Sequence, residues 1–134
     1  MNRLTESRQR IWGRFLSLIS ILYPLEGSPM STSNLPSTFE ELRATARAFA
    51  TRQGISQCNS PKDLSTSIAV EAADLIRLFQ RHSTEDSIAM SNDPIMRAKV
   101  VTELVDIFIY TLCLADQMNI DLCTAIQCRT EYDH

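Results

Sequence analysis

The chain has 134 residues, of which 44% are hydrophobic and 22% are charged, a composition typical of one globular domain rather than of a disordered segment. Thirteen basic against sixteen acidic residues give a net charge of -3, so the basic surface expected of a protein that binds a nucleic-acid polymer is missing. Three Gly and five Pro are too few turn residues for a multi-stranded β fold. The composition therefore predicts an all-α protein.

The first 36 residues differ in character from the rest, and we predict an N-terminal extension at 1–36 and a helical domain at 37–134. The extension carries four Arg against two Glu, whereas the domain carries nine basic and fourteen acidic residues. Its apolar stretch from Phe15 to Leu25 is too short to cross a bilayer, which takes about 20 residues, so no membrane anchor is expected. Three interpretations stay open: a mis-assigned start upstream of Met30, a targeting segment, and a docked amphipathic helix.

The first two helices of the domain are predicted from their capping residues. Ser37 and Glu40 have the spacing of a capping box, in which the hydroxyl and the carboxylate each accept from the other residue's backbone amide. This box opens the first helix, and Gly54 ends it. Ser60 is the N-cap of the second helix, with proline at the first helical position. The second helix is predicted to reach about residue 81.

Two more helices follow a polar loop that is predicted over residues 82–93. Asp93, followed by proline, starts a third and long helix, and Asn119 ends it because asparagine tolerates the left-handed backbone of a helix C-terminus. Asp121 caps a fourth, short helix. No segment of useful length alternates with period two. The sequence thus predicts an all-α bundle that resembles a four-helix bundle.

The cysteines are even in number but lack the CxxC pairs of a zinc site and the dense spacing of a disulfide-stapled miniprotein. They are interpreted as free thiols, which favours a reducing compartment and hence the cytoplasm, with a targeting role for residues 1–36 as the alternative. The four residues are Cys58, Cys113, Cys123 and Cys128.

Two pairs of acids lie inside the two most apolar helices. Glu71 and Asp74 belong to the second helix, and Glu103 and Asp106 belong to the third. Members of a pair spaced i, i+3 lie about 60° apart around a helix, so the oxygens of each pair can converge on one point. A solvated helix face is the more common explanation for one such pair, but two pairs among hydrophobic residues favour a cluster of four carboxylates.

Such a cluster suggests a divalent metal site. Four carboxylates in a partly desolvated bundle repel one another at a cost of several kcal/mol unless cations neutralise them. All-oxygen ligands suit hard ions, above all Mg²⁺, with Mn²⁺ as the alternative. Because Mg²⁺ held by carboxylates recruits phosphate oxygens as further ligands, a phosphate-containing substrate is expected. A di-iron centre is not expected, since it takes two Glu-x-x-His motifs on core helices, and the two histidines of this chain are His82, in the predicted loop, and His134, the last residue.

These residues resemble the all-α nucleoside triphosphate pyrophosphohydrolases, a family that includes MazG-like proteins and dCTP pyrophosphatases. The resemblance covers about residues 38–134 and rests on an ExxE-like helix followed by an ExxD helix, here Glu71-x-x-Asp74 and Glu103-x-x-Asp106. Its closest match is to the dCTP pyrophosphatase branch.

The resemblance implies a homodimer or homotetramer that hydrolyses a nucleoside triphosphate, dCTP-like in the branch it matches best, to a monophosphate and pyrophosphate. All four acids would hold Mg²⁺ against the triphosphate, and Glu71 would also activate the attacking water. Four further positions match substrate-binding positions of the family: Lys62, Tyr110, Arg129 and Asp133.

The chain also departs from the family at several positions. Asp74 stands where the family usually has Glu, and a side chain shorter by one methylene displaces a ligand oxygen. Ile55, Arg81 and Asn59 stand where aromatic residues and a histidine enclose the base, and Asp133 replaces an Asn. These departures leave an alternative open: a catalytically weakened or inactive helical module of the same fold, which dimerises through its long third helix.

Overall fold

The structure is a computed structural model that describes residues 38–55 and 60–131. Within these ranges the chain forms five α-helices and one short 3₁₀ helix, and no strand. The all-α prediction is therefore confirmed. The elements are α1 (Phe39–Arg52), α2 (Pro61–Phe79), α3 (Thr84–Ala89), the 3₁₀ helix (Met90–Asn92), α4 (Pro94–Gln117) and α5 (Leu122–Glu131). The predicted extension, Cys58, Asn59 and Asp133 lie outside the described residues.

The capping box of α1 lies one residue later than predicted. Thr38 is the N-cap: the Glu41 amide donates to Thr38 Oγ1 at 3.2 Å, and the Thr38 amide donates to Glu41 Oε2 at 3.2 Å. The extended backbone of Thr38 places its hydroxyl over the first turn of the helix. Glu40, the predicted partner of Ser37, instead lies 3.5 Å from Arg43. Two overlapping Ser/Thr-x-x-Glu patterns occur here, and the sequence alone does not decide between them.

The predicted end of α1 and start of α2 agree with the structure. Gly54 has a φ of +69°, a left-handed conformation that favours glycine, directly after the C-cap of α1. At the start of α2, the Asp63 amide donates to Ser60 Oγ at 3.2 Å and the Ser60 amide donates to Asp63 Oδ2 at 3.0 Å. These bonds satisfy backbone donors that the first turn of a helix leaves without intrahelical partners.

The predicted loop over 82–93 is wrong in part, because it contains α3 and the 3₁₀ helix. Ser83 caps α3 by accepting from the Asp86 amide at 3.1 Å. Helix α3 has only six residues, too few for a hydrophobic periodicity to be read from the sequence. The cap Ser83 followed by acidic residues in the first turn was the available signal.

Helices α4 and α5 begin and end near the predicted residues. Asp93 Oδ1 accepts from the amides of Ile95 and Met96 at 2.9 and 3.3 Å, which caps α4. Asn119 has a φ of 55°, the left-handed conformation expected after the helix. Asp121 then caps α5, since its Oδ1 accepts from the Cys123 amide at 3.0 Å.

The described residues form two compact units. The first contains residues 75–103. The second contains residues 38–55, 60–74 and 104–131, and holds the hydrophobic core. The buried core residues are Ala46 and Ala50 of α1, Leu64 of α2, and Ile109, Leu112 and Cys113 of α4. Partly buried side chains from the same unit pack against them, including Phe49, Tyr110 and Leu122.

Side-chain hydrogen bonds connect α1 to the last turns of α4 through Arg43, Arg47 and Asp116. Arg43 Nη2 donates to Asp116 Oδ1 at 2.7 Å, and Arg47 Nε donates to Asp116 Oδ2 at 2.8 Å. Hydrogen bonds from Arg47 and then Arg43, opposed by partial burial, lower the pKa of Asp116. No local sequence pattern indicates this cluster, because the two arginines are 73 and 69 residues away from Asp116.

Replacing Asp116 with asparagine is expected to lower the free energy of unfolding by about 1 kcal/mol near neutral pH. Because the pKa of Asp116 is lowered in the folded protein, its contribution is complete above the unfolded pKa of about 3.9 and is lost as pH falls through the folded pKa. Urea denaturation as a function of pH measures this: wild type and variant should differ at neutral pH and converge in acid. Glu40→Gln is the control, with a change of only a few tenths of a kcal/mol. A difference that persists unchanged in acid contradicts the assignment.

The described cysteines agree with the prediction of free thiols: Cys113 is buried, and Cys123 and Cys128 are exposed. Burial, with a smaller contribution from Asp116, raises the pKa of the Cys113 thiol. Cys113 therefore stays protonated and packs as a small hydrophobic residue. None of the helices in the described part of the chain has the length and apolarity that a bilayer crossing needs.

Candidate metal centre and active site

Glu71 lies on the buried face of α2. It is 8% exposed, and the other buried residue of this helix is Leu64, seven residues earlier. Seven residues correspond to about two helical turns, so both side chains leave the helix on the same side. The sequence therefore directs a carboxylate toward the interior from the same helix face that anchors α2 in the core. A buried carboxylate requires a compensating partner, so this position is unusual for glutamate.

The side chains of Glu71, Asp74 and Glu103 meet. Each offers a carboxylate oxygen, and these three oxygens lie within 4.8 Å of one another. Glu71 is buried, and Asp74 and Glu103 are half-buried. The i, i+3 spacing brings Asp74 beside Glu71 on α2, as predicted, while Glu103 comes from α4. The structure thus brings together three of the four residues predicted to hold a metal ion.

Asp106, the fourth predicted ligand, is half-buried on α4, one turn after Glu103. It lies four residues after Thr102 and three before Ile109, both of which are buried. Its position is therefore on the inward stripe of α4 rather than on a solvated face. Asp106 is not one of the residues whose oxygens meet within 4.8 Å, and its role as a ligand stays a prediction.

The predicted substrate-binding residues within the described part of the chain lie on three different helices. Tyr110 is half-buried against the core and lies on the same side of α4 as Glu103, about 10 Å further along the helix. Lys62 is exposed in the first turn of α2, on the side about 180° from Glu71. Arg129 is exposed on α5. Their contacts with a substrate, and that of Asp133, stay predictions.

The donor set fits a hard divalent cation. Three carboxylates supply only oxygen ligands, which Mg²⁺ and Mn²⁺ accept and which suit soft metals poorly. Like charges at such separations raise one another's cost of ionisation, an effect that grows as water is excluded. A cation among the oxygens lowers this cost. The described residues contain no other group of three His, Cys, Asp or Glu side chains with ligand atoms this close together.

Comparisons with known proteins find pyrophosphatases among the similar chains. No family model matches the chain. It is 32% identical to dCTP pyrophosphatase 1 of Bos taurus over 103 residues, which is 77% of this chain and 60% of the relative. It is 32% identical to dCTP pyrophosphatase 1 of Rattus norvegicus over 98 residues, covering 73% of this chain and 57% of the relative. The chain thus spans about three fifths of the length of these curated relatives.

A solved structure extends the likeness to the fold. A pyrophosphatase from Archaeoglobus fulgidus superimposes with a TM-score of 0.61 at 29% sequence identity, covering 70% of this chain and 86% of the other. These likenesses in sequence and in fold confirm the predicted resemblance to the all-α nucleoside triphosphate pyrophosphohydrolases, the MazG-like family. The three acids whose oxygens meet, Glu71, Asp74 and Glu103, all belong to the two acidic motifs that carry this resemblance.

Proposed function

We propose that the chain hydrolyses a nucleoside or deoxynucleoside triphosphate to the monophosphate and pyrophosphate, and so removes unwanted nucleotides from the pool. The observation that carries the proposal is the approach of carboxylate oxygens from Glu71, Asp74 and Glu103 within 4.8 Å. The relatives named dCTP pyrophosphatase and the structural neighbour named pyrophosphatase support the same reaction class.

A divalent cation, Mg²⁺ or Mn²⁺, would be held by Glu71, Asp74 and Glu103, with Asp106 as a further ligand. When bound, it supplies Lewis-acid stabilisation of phosphate charge and makes water more acidic. The half-buried setting of the acids supports this role, because electrostatic stabilisation is stronger where water is excluded. Asp74 has the shorter side chain of its pair, and this supports a metal preference that differs from that of a Glu ligand at the same position.

Glu71 is the proposed general base. Its carboxylate accepts one proton from the attacking water, the new oxygen–phosphorus bond forms at the α-phosphate, and the bond from the α-phosphate to the bridging oxygen breaks. The electron pair of the broken bond leaves with pyrophosphate. The position of Glu71 on the inward face of α2, beside the other two acids, supports this assignment.

The substrate is proposed to be dCTP-like, with a pocket that differs from that of the dCTP branch. Tyr110 would pack against the sugar, which its half-buried place beside the core supports. Lys62, Arg129 and Asp133 would contact the phosphates or their counter-ions. Ile55 is half-buried and Arg81 is exposed where the branch has residues that enclose the base. An aliphatic and a basic side chain at these positions predict contacts to the base that differ from those in the branch.

The test is incubation of the purified protein with each nucleoside triphosphate and Mg²⁺. The expected products are the monophosphate and intact pyrophosphate. Release of free phosphate would mean that a different bond is cut. Absence of turnover, together with no stabilisation by Mg²⁺ plus nucleotide, would favour the alternative of a non-catalytic helical module.

We place the activity in the cytoplasm, since the free thiols of Cys113, Cys123 and Cys128 support a reducing compartment.

The working assembly is proposed to be a homodimer, or a homotetramer made of two dimers. On α4 the large apolar side chains of Leu104, Val105 and Phe108 are exposed at helical spacing, so they form one stripe. A stripe of this kind on a long helix is typical of a helix-to-helix interface.

Replacing Leu104 with aspartate is expected to dissociate this assembly, because a charge in the centre of an apolar interface is left without water or a partner. Light scattering after size-exclusion chromatography measures the mass directly. Ile126→Asp, at an exposed apolar residue of α5, is the matched control and should leave the mass unchanged. A Leu104→Asp protein with the mass of the unaltered assembly contradicts the proposed interface.

A further inference from the structure

One side of helix α4 carries a row of polar side chains. The row lies within the single helix Pro94–Gln117 and consists of Lys99, Glu103, Asp106 and Tyr110, all of which are half-buried. At about 100° per residue, the other three lie within about 40° of Lys99 around the helix. Along the helix axis the row is about 16 Å long. We call these four residues the α4 row.

The α4 row has a chemical direction. Its middle holds the two acids, one of which, Glu103, belongs to the candidate metal centre. Tyr110, the residue proposed to pack against the sugar, follows Glu103 by about 10 Å along the axis, and Lys99 precedes Glu103 by about 6 Å. From the C-terminal to the N-terminal end of the row, an aromatic ring, a pair of carboxylates and a cation therefore follow one another.

This direction matches that of a nucleoside triphosphate. In such a substrate the sugar, the α-phosphate and the β- and γ-phosphates follow one another along one chain of covalent bonds. When the sugar lies against Tyr110 and the α-phosphate lies at the metal centre, the β- and γ-phosphates are directed toward the N-terminal end of α4. Lys99 is the residue of the row that lies there, and a lysine ammonium is a common phosphate-binding group.

The setting of Lys99 favours a bound ligand over an ion pair within the chain. Lysine is seldom buried without a partner, because its charge loses hydration. No ion pair joins Lys99 to an acidic side chain of the described residues. Lysine four residues before glutamate, the order of Lys99 and Glu103, is the less favourable order for an ion pair on a helix. The ammonium of Lys99 is therefore available to a phosphate.

Lys99 differs in position from the other basic residues considered so far. Lys62 lies on the side of α2 about 180° from Glu71, and Arg129 is exposed on α5. Arg97, two residues before Lys99, is exposed and lies about 160° away from it around α4. Lys99 is thus the basic residue that shares a half-buried helix face with the acids.

We propose that Lys99 binds the leaving pyrophosphate, an inference that rests on the proposed function. The triphosphate lies along the α4 row with its nucleoside toward Tyr110. When the bond from the α-phosphate to the bridging oxygen breaks, the electron pair stays on that oxygen, and the pyrophosphate gains one negative charge. The ammonium of Lys99 keeps its protons and donates hydrogen bonds to oxygens of the β-phosphate. It therefore stabilises charge that grows as the bond breaks.

Binding of the two products tests the proposal. Lys99→Met keeps the length of the side chain and removes its charge. Its affinity for inorganic pyrophosphate with Mg²⁺ should fall by about tenfold or more, the loss typical of a removed hydrogen bond between charged groups. Its affinity for dCMP with Mg²⁺ should stay unchanged. Lys99→Arg, which keeps the charge, should bind pyrophosphate nearly as tightly as wild type. Isothermal titration calorimetry measures these affinities.

Arg97→Met is the matched control, because it removes one positive charge from the same helix at an exposed position on the other side. At equal ionic strength it should leave the affinities for both products unchanged. In steady-state assays with a triphosphate, Lys99→Met should lower kcat/KM by a factor similar to its loss of pyrophosphate affinity, and Arg97→Met should not. Circular dichroism checks that all variants keep their helical content.

Two outcomes would overturn the proposal while the proposed function stands. A Lys99→Met protein that binds pyrophosphate as tightly as wild type makes no contact with the leaving group through Lys99. Equal weakening of pyrophosphate and dCMP binding means that Lys99 supports the site as a whole. The proposed function fails separately, when wild type hydrolyses no triphosphate. A wild type that also binds no pyrophosphate with Mg²⁺ overturns both.

Discussion

Replacing Glu71 with glutamine is expected to reduce pyrophosphate release by at least a hundredfold, and by up to about ten-thousandfold, the usual contribution of a general base. Glutamine keeps the size of the side chain but cannot accept the proton of the attacking water or contribute a negative charge to the cluster with Asp74 and Glu103. Steady-state assays with the best triphosphate of the panel measure the loss.

The same substitution separates catalysis from folding. Glutamine has nearly the same size and shape as glutamate, so the metal-free Glu71→Gln protein should keep the fold of wild type. Mg²⁺ should stabilise wild type, by about 2.7 kcal/mol at a concentration of one hundred times Kd, and should stabilise the variant much less. Thermal unfolding with and without Mg²⁺ measures both effects.

Glu85→Gln is the matched control, because Glu85 is exposed in the first turn of α3 and is no part of the proposed centre. Its activity and its response to Mg²⁺ should equal those of wild type. A Glu71→Gln enzyme that releases pyrophosphate at the wild-type rate would remove Glu71 from the catalytic role. An enzyme with lost activity but full stabilisation by Mg²⁺ would restrict Glu71 to proton transfer and leave the ion to other ligands.

The helices were predictable from the sequence to the extent that their ends are determined locally. Ser60, Asp93 and Asp121 accept from backbone amides within the next three residues, so a short window of sequence contains the whole interaction. The exact start of α1 was not predictable, because two overlapping Ser/Thr-x-x-Glu patterns occur there and the local sequence does not distinguish them; the structure has the capping box at Thr38. Helix α3 was missed because six residues are too few for periodicity.

The candidate site was predictable only in part, because some of its contacts lie within one helix and others join different helices. The pairing of Glu71 with Asp74 follows from helix geometry alone, whereas the approach of Glu103 requires α2 and α4 to lie side by side, which the paired motifs suggested and no local rule provides. The bonds from Arg43 and Arg47 to Asp116 carry no sequence signature at all, since they join residues about 70 positions apart. Long-range ion pairs of this kind emerge only once the helices are placed.

Replacing Leu64 with alanine is expected to lower the free energy of unfolding by about 2–5 kcal/mol, the range for a large-to-small change in a closed core. Leu64 is the one large side chain among the described residues that is fully buried, at 0% exposure. It packs in the cluster with Ala46 and Ala50 of α1 and Leu112 of α4. Alanines on one side of the cavity cannot extend to fill it, so relaxation recovers little of the loss.

Leu42→Ala is the matched control, because it deletes the same atoms from an α1 residue that is 39% exposed and should cost much less. Urea denaturation of both variants gives the comparison.

Leu64 also lies two turns before Glu71 on the same face of α2, so its packing holds the helix that carries two of the acids. Loosening this anchor should raise the Mg²⁺ concentration needed for half-maximal activity while the protein is still folded. Equal losses of stability in the two variants would show that α2 is not anchored at Leu64, and the interior orientation of Glu71 would then need another cause.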